Sequence, residues 1–416
     1  MNASVQLDHA AIAATMPLDK FDVGDPRLFQ DDVWEPYFRR LRAEDPVHYC
    51  ADSRFGPYWS VTKYKDIMTV EVNHKVFSSE SVLGGITIRD APKAFRRRSF
   101  ISMDPPDHDQ QRKVVQPIVA PGNLHNMEAL IRERCARVLD GLPRNEVFNW
   151  VDKVSIELTT MMLATLFDFP FEDRKLLTWW SDVATADVNA GGVIDSDEKR
   201  DAELLKCLEY FTRLFEQRAK EPPRADLLSM LAHGEATRNL SPKEFLGTLT
   251  LLIVGGNDTT RNSMSASVLF MSRFPEEYAK LRANPALIDS MVPEVIRYHT
   301  PLSHMRRTAV ADFELGGKQI KKGDKVVMWY VSGNRDEDAI ENPDSFIIDR
   351  ARPRQHLSFG FGIHRCVGNR LGELQLKILW EEILKRFERI EVVGPEERVF
   401  SSFVHGISGL PVRIPV

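Results

Sequence analysis

The chain has 416 residues, of which 43% are hydrophobic and 28% charged, and its formal net charge is −5. This composition is typical of a globular protein with a large core, and the slightly acidic balance argues against a nucleic-acid partner, which normally requires a basic domain or stripe. The four cysteines, Cys50, Cys135, Cys207 and Cys366, show no short paired spacing, so the sequence indicates neither a disulfide framework nor a zinc site, and a reducing cytoplasm is expected.

The sequence shows no membrane-targeting segment. Its first residues lack the basic start and apolar core of a secretory signal. The longest apolar stretch, Leu246 to Val254, is too short to span a bilayer. Because no repeat or linker divides the chain, residues 1–416 are predicted to form one soluble cytoplasmic domain without a membrane anchor.

The predicted elements alternate between short strands and long helices. Strand-like segments come first, at Pro46–Cys50 and Tyr58–Val61. The clearest helix begins at Ser241-Pro242-Lys243-Glu244, which is a capping box with proline at the first helical position, and it is predicted to pass Met264. Other helices are predicted at 127–142, 155–166, 201–220, 276–281, 288–298 and 369–387, and further β structure at 309–331 and 398–416. The sequence therefore predicts a mainly α protein with a minor β region.

One cysteine has neighbours that suit metal ligation. Residues 359–368 read Phe-Gly-Phe-Gly-Ile-His-Arg-Cys-Val-Gly, which places Cys366 directly before the predicted helix 369–387. A thiolate is the form of cysteine that ligates metals, and the N-terminus of a helix lowers the thiol pKa. Gly362 and Gly368 permit turns and a close approach to a flat cofactor. Cys366 is therefore the predicted metal ligand, whereas the other three cysteines are better explained as buried structural residues.

The same loop resembles the haem-binding signature of cytochromes P-450. The matching positions are Phe359, Gly362, His364, Cys366 and Gly368. The resemblance implies the P-450 fold, haem b as cofactor, Cys366 as its axial ligand and O2 as co-substrate. In that family the thiolate donates electron density that favours O–O bond cleavage.

A second motif lies inside the capped helix, where residues 255–260 read Gly-Gly-Asn-Asp-Thr-Thr. Each glycine costs a helix about 1 kcal/mol relative to alanine, so the motif needs a compensating reason. The Thr259 hydroxyl can bond the carbonyl of Gly255, which would loosen the backbone and leave a groove for dioxygen and water. The motif resembles the oxygen-activation motif of the P-450 central helix, which implies that Asp258 and Thr259 relay protons. On its own it would be interpreted as a helix kink with solvated polar residues.

Glu294 and Arg297 are three residues apart and therefore share a helix face. An isolated pair of this kind is usually a surface ion pair. Here it resembles the Glu-x-x-Arg pair of the P-450 family, and Arg350 stands where the third member is expected. The resemblance implies a buried network that holds the cysteine loop in register.

Haem propionates would need cationic or hydrogen-bonding partners, because two carboxylates are costly to bury without them. The residues that match the family's propionate-binding positions are His108 and Arg112, four apart on a predicted helix, together with Arg307 and His364. Arg306 is an equally basic neighbour, and only the spacing to Asp312 favours Arg307.

The segments expected to border the distal haem face are dominated by apolar residues and glycine, which suits an apolar substrate. They are 81–88, 181–193, 252–256, 302–305 and 403–407. The predicted pocket residues are Ile86, Val254, Gly255, Leu302, Met305 and Phe403. Ordinary core packing explains each of them individually about as well.

The chain as a whole resembles the bacterial P-450 family that hydroxylates the terminal carbon of medium-chain alkanes and fatty acids. Segments 55–64, 255–264, 300–308 and 355–366 carry this resemblance. It implies ω-hydroxylation to a primary alcohol, and a channel that admits only the chain end, because a methyl C–H bond is stronger than that of a methylene.

The resemblance to soluble bacterial members implies that electrons come from NAD(P)H through a ferredoxin reductase and a [2Fe–2S] ferredoxin. The basic residues predicted to steer this acidic partner are Arg112, Lys113, Arg365, Arg370 and Lys377. Hydroxylation of terpenes or steroid side chains is the alternative substrate class. A peroxide-dependent haem-thiolate enzyme and a non-catalytic haem protein are further alternatives, against which the Asp258-Thr259 motif argues.

Overall fold

A computed structural model describes residues 7–190, 192 and 194–416. Val193, the last residue of the predicted distal segment 181–193, lies outside the described residues. The helices are α1 (His9–Thr15), α2 (Pro26–Gln30), α3 (Glu35–Glu44), α4 (Tyr64–Val72), α5 (Asp107–Val115), α6 (Pro121–Asp140), α7 (Glu157–Phe167), α8 (Lys175–Thr185), α9 (Asp197–Arg218), α10 (Leu227–His233), α11 (Pro242–Arg273), α12 (Pro275–Ala283), α13 (Ile288–His299), α14 (Tyr330–Gly333) and α15 (Asn369–Arg386).

The strands are short and form small sheets. They are β1 (Val47–Cys50), β2 (Tyr58–Val61), β3 (Phe77–Ser78), β4 (Val147–Asn149), β5 (His304–Ala309), β6 (Phe313–Leu315), β7 (Lys318–Ile320), β8 (Lys325–Trp329), β9 (Glu391–Val392), β10 (Glu397–Arg398), β11 (Ile407–Gly409) and β12 (Pro411–Arg413). A five-stranded sheet has the order β1-β2-β8-β5-β3, in which only β2 and β8 run parallel. The prediction of a mainly α protein with a minor β region is confirmed.

Helix α11 runs through the largest buried cluster and begins where its sequence predicts. The Ser241 hydroxyl accepts from the Glu244 backbone N–H at 3.3 Å, and the Glu244 carboxylate accepts from the Ser241 backbone N–H at 3.3 Å. Farther along, a Cβ on Gly256 would lie 2.7 Å from the Leu163 side chain, so glycine lets α11 approach α7 closely. Within the described residues, no helix combines the length and hydropathy needed to cross a bilayer.

The cysteine loop, residues 359–368, packs against the end of α4. Gly362 has φ of +67°, and a Cβ there would lie 2.6 Å from the carbonyl oxygen of Glu71. The loop therefore requires glycine both for its backbone conformation and for the close approach to α4. It leads directly into α15, as predicted.

Several predicted boundaries differ from the observed ones. Helix α6 begins at Pro121 rather than Met127, because proline suits the first turn of a helix. The predicted helix 155–166 begins with a π-helical turn at Val151–Ile156, and only Glu157–Phe167 is α-helical. The predicted β region 309–331 begins earlier, with β5 at His304.

Candidate active site

The cysteine loop presents Cys366 differently from the other cysteines. The Cys366 backbone N–H donates to the Phe359 carbonyl at 2.8 Å, which closes the loop. Cys366 is accessible, whereas Cys50, Cys135 and Cys207 are buried, and all four are free thiols. The thiol is nonetheless surrounded by protein: desolvation raises the pKa of Cys366, and the backbone N–H of Gly368 and the charge of Arg112 act in the opposite direction. An exposed thiol whose anionic form is favoured by a backbone N–H and a nearby guanidinium suits ligation of a metal.

Two histidines and an arginine adjoin this loop. The His108 and His364 rings lie 4.4 Å apart, centroid to centroid. His108 Nδ1 bonds Asp109 at 2.7 Å and His364 Nε2 bonds Ser79 at 3.1 Å, while the other ring nitrogen of each histidine is buried without a partner. Arg112 donates to the Arg365 carbonyl at 2.6 Å. Two buried nitrogens without partners need an acceptor or donor from outside the protein.

The neighbouring arginines 306 and 307 point to different places. Arg307 donates at 2.7 Å to Glu71, whose carboxylate also accepts from the Phe361 backbone N–H of the cysteine loop. Burial, and then the positive charge of Arg307, lower the pKa of His364 to about 2. Arg306 instead pairs with Asp90 and donates to the Leu83 carbonyl at 3.2 Å. Of the two, Arg307 therefore belongs to the group around the cysteine loop, as its spacing to Asp312 had favoured.

Glu71, which no sequence motif indicates, lies between Arg307 and the cysteine loop. Its carboxylate accepts from Arg307 at 2.7 Å, from the Phe361 backbone N–H at 3.4 Å and from the Tyr330 hydroxyl. Glu71 is only 3% exposed, and burial followed by the Glu71 charge raises the pKa of Tyr330 well above its ordinary value. No sequence motif surrounds Glu71, since its partners come from β5, α14 and the loop.

These residues fit a haem. Among the described residues, no group of three or more His, Cys, Asp and Glu side chains could hold a metal ion by itself. A single cysteine thiolate is a known axial ligand of haem iron. The Arg112 and Arg307 guanidiniums are donors of the kind that two propionates would need. The partnerless His364 Nδ1 would add a donor in the tautomer that carries its proton there, and the partnerless His108 Nε2 would do so in the protonated ring, because Nδ1 already donates to Asp109.

Comparisons with known proteins agree with this site. A family model for cytochrome P450 matches residues 196–404. The chain is 35% identical to linalool 8-monooxygenase of Pseudomonas putida, over 95% of this chain and 99% of that protein. The chain belongs to the cytochrome P450 family. Two similar solved P450 structures are Cytochrome P450-153 from Novosphingobium aromaticivorans (49% identity, TM-score 0.89, 94% of this chain and 99% of that one) and CYP153D17 from Sphingomonas sp. PAMC 26605 (50% identity, TM-score 0.90, 96% and 100%).

The predicted Glu294–Arg297–Arg350 network is present in this P450 and is buried. Arg297 makes two bonds of 2.8 Å to the Glu294 carboxylate, and Arg350 makes one of 2.9 Å. Arg297 also donates to the carbonyl of Asn334 at 2.8 Å. The Asn334 side chain accepts from the Leu357 backbone N–H at 2.7 Å. The network thus reaches the segment that enters the cysteine loop.

On α11 the Thr259 hydroxyl donates to the Gly255 carbonyl at 3.1 Å, the bond expected from the sequence. The adjacent Asp258 carboxylate is completely buried and faces α8. The carboxylate accepts from Ser181 at 3.0 Å and Thr185 at 3.2 Å, both in the predicted distal segment 181–193, and from Arg261 at 2.9 Å and the Asn257 side chain at 3.1 Å. Arg261 also pairs with Asp182 at 2.9 Å. The carboxylate of Asp258 is thus shared between the central helix and α8.

Four of the six predicted pocket residues come from segments that meet. Leu302 forms a β-bridge with Val404, next to Phe403. Met305 lies on β5, and the Ile86 carbonyl accepts from the Arg306 backbone N–H at 2.8 Å. Val254 and Gly255 are on α11, and a Cβ on Gly255 would have no neighbour within 4 Å. None of the six is fully buried, which suits residues that border open space.

Proposed function

We propose that this P450 hydroxylates the terminal carbon of medium-chain n-alkanes or fatty acids to a primary alcohol. The observation that carries the proposal is the identity of 49–50%, over at least 94% of the chain, to two P450-153 structures. This family is the one that the chain resembles in sequence, the bacterial P450 enzymes that hydroxylate terminal carbons. A curated relative at 30% identity is the methyl-branched lipid omega-hydroxylase of Mycobacterium tuberculosis. The incompletely buried apolar residues beside Gly255 suit an unbranched chain end.

In this proposal the cofactor is haem b, which when bound supplies the activation of O2 for insertion of one oxygen atom into a C–H bond. Cys366 is the iron ligand, and Phe359, Gly362 and Gly368 shape its loop. His108, Arg112, Arg307 and His364 hold the propionates. The Glu294–Arg297–Arg350 network keeps the loop in register, since buried bidentate pairs have well-defined geometry.

The proton relay consists of Thr259 and Asp258. The Thr259 hydroxyl delivers a proton on the open side of α11, beside Gly255. Its hydrogen bond to the Gly255 carbonyl fixes the orientation of the Thr259 side chain. Asp258 passes on the replacement proton: its carboxylate leaves the contacts with α8, takes up a proton from solvent water and donates it to Thr259, directly or through one water. Ser181, Thr185 and Arg261 hold this carboxylate between turnovers.

Electrons reach the site from NAD(P)H through a ferredoxin reductase and a [2Fe–2S] ferredoxin. Lys113, Arg365 and Arg370 are exposed on the side of the cysteine loop and of α5, which suits steering of an acidic partner. Lys377 contributes less, because it pairs with Asp289 at 2.7 Å. Free thiols throughout the chain favour a cytoplasmic location.

Terpene and steroid side-chain hydroxylation form the second candidate function, supported by two curated relatives. These are linalool 8-monooxygenase at 35% identity and the steroid C26-monooxygenase of Mycolicibacterium smegmatis at 31%. The deciding experiment is product regiochemistry for a panel of alkanes, fatty acids, terpenes and sterols with surrogate redox partners. The proposal requires a terminal alcohol from linear chains. Subterminal alcohols, or turnover of cyclic or branched terpenes only, would contradict it.

A further inference from the structure

A charged cavity of about 190 Å³ lies outside the groups discussed so far. We call it the entrance cavity. Its charged lining comprises three arginines and two aspartates, namely Arg89, Arg97, Arg200, Asp197 and Asp201. Phe95, Ala91 and Ala184 add apolar surface. The lining combines cationic and apolar groups, as an amphiphilic ligand requires.

The charged residues join two distant segments of the chain. Arg89 pairs with Asp197 at 2.7 Å, and Arg97 pairs with Asp201. Arg200, on the same helix as the two aspartates, pairs with Asp197 at 2.6 Å. The loop that precedes α5 is thereby fastened to the first turns of α9.

The cavity has more cationic than anionic side chains. Burial, and then the charge of Arg89, lower the pKa of Arg200, and burial lowers the pKa of Arg97. A guanidinium has five N–H donors, yet Arg89 and Arg97 each donate a single hydrogen bond in the described structure. Unused donors and mutual repulsion among three cations both favour an additional carboxylate.

The position of the cavity relates it to the candidate substrate pocket. Thr87 lines the cavity, and the preceding residue, Ile86, bonds β5 through its carbonyl. Ala184 also lines it, and the following residue, Thr185, donates to Asp258 of α11. Two short segments, 86–87 and 184–185, therefore connect the cavity to β5 and to α11.

We propose that the entrance cavity binds the carboxylate head group of a fatty acid whose chain extends inward, methyl end first, toward Gly255. This inference rests on the proposed function and narrows it, since it makes acid-headed chains preferred over alkanes of the same length. Binding energy from the head group would be used to place the far end of the chain, which favours terminal over subterminal reaction.

The test is a binding titration of the haem-loaded enzyme, followed through the Soret band, with decanoic acid, methyl decanoate and n-decane. At low ionic strength the acid should bind about tenfold more tightly than the ester, because the ester lacks the charge-assisted bonds. Arg97→Gln should remove this preference and Arg97→Lys should keep part of it. The matched control is Arg174→Gln, which breaks a 2.8 Å pair with Glu157 at the other end of α8 and should leave the preference unchanged.

Salt provides a second measurement that needs no variant. Raising the ionic strength should weaken binding of the acid and leave the ester unaffected, since screening acts on charges. Equal binding of acid and ester with terminal hydroxylation of both would overturn the carboxylate site and leave the proposed function standing. A preference that survives in Arg89→Gln/Arg97→Gln would also overturn it. Failure of all three ligands to bind would overturn both proposals.

Discussion

Two groups of paired arginines and carboxylates in this P450 differ in their burial and in the number of hydrogen bonds that their arginines make. Beneath the cysteine loop, the Glu294 and Arg297 side chains are 0% and 1% exposed, and Arg297 also bonds main-chain carbonyls. At the entrance cavity, the Arg89 and Asp197 side chains are 32% and 18% exposed. The first group is fixed by many bonds, whereas Arg89 and Arg97 of the second group each donate a single hydrogen bond.

The difference shows where this fold needs rigidity. Removing one partner of a buried ion pair leaves an uncompensated charge, whereas a half-exposed pair is partly replaced by solvent. Cys366, the proposed iron ligand, therefore adjoins the rigid group, and the substrate is expected to enter through contacts that open at small cost.

The largest expected effect is at Cys366, the proposed iron ligand. Cys366→Ser removes the thiolate, so the reduced, carbon-monoxide-treated protein should lose the red-shifted Soret band typical of thiolate ligation. The matched control is Cys50→Ser, a buried cysteine on β1, which should keep the band. Retention of the band in Cys366→Ser would falsify the assignment of this ligand.

The next effect concerns the buried network. Glu294→Gln leaves Arg297 and Arg350 without their carboxylate and should lower the free energy of unfolding by about 3 to 5 kcal/mol, with loss of haem during purification. Denaturant unfolding and the haem-to-protein ratio measure this. Glu133→Gln, which breaks an exposed pair with Arg137, is the control and should change little. Equal losses of unfolding free energy in Glu294→Gln and Glu133→Gln would show that the buried network stabilises the fold no more than an exposed ion pair does.

On the distal side, Asp258→Asn should slow product formation by about 100-fold, because an amide cannot donate an acidic proton. Haem content and substrate binding should be unchanged, since asparagine keeps the size of the side chain. Product yield per NAD(P)H consumed separates slow proton delivery from loss of the fold. Unchanged turnover would assign Asp258 a structural role between α11 and α8.

A smaller effect is expected from Glu71→Gln on the rigid side. Gln can still accept from Tyr330 and Arg307, but the loss of the charged pair holds the Arg307 guanidinium and the Phe361 backbone N–H less firmly, so haem should dissociate a few-fold faster while the fold remains intact. Tyr330→Phe keeps the charge and serves as the comparison, with a smaller change in the dissociation rate. Faster dissociation in Tyr330→Phe than in Glu71→Gln would show that the hydroxyl matters more than the charge.

The sequence predicted those parts of the site that lie within short motifs. The cysteine loop, the capping box of α11 and the Glu294–Arg297 spacing are local patterns, so residues could be placed without knowing the fold. Glu71 and the role of Arg261 escaped prediction, and Ser181 and Thr185 were included only as members of the apolar distal segment 181–193. A buried polar side chain has no periodicity of its own. The substrate-pocket residues were recognised only by apolar composition, which core packing produces as well.

The smallest predicted effect is at the entrance. Arg89→Gln breaks one half-exposed pair, so the free energy of unfolding should fall by less than about 1 kcal/mol, although the same residue lines the proposed head-group site. Denaturant unfolding of Arg89→Gln and Glu294→Gln under the same conditions lets the two losses of unfolding free energy be compared directly. A loss as large as that of Glu294→Gln would mean that the loop before α5 is a fixed part of the core. Substrate would then have to enter between other elements, because a loop held that firmly could not open at each turnover.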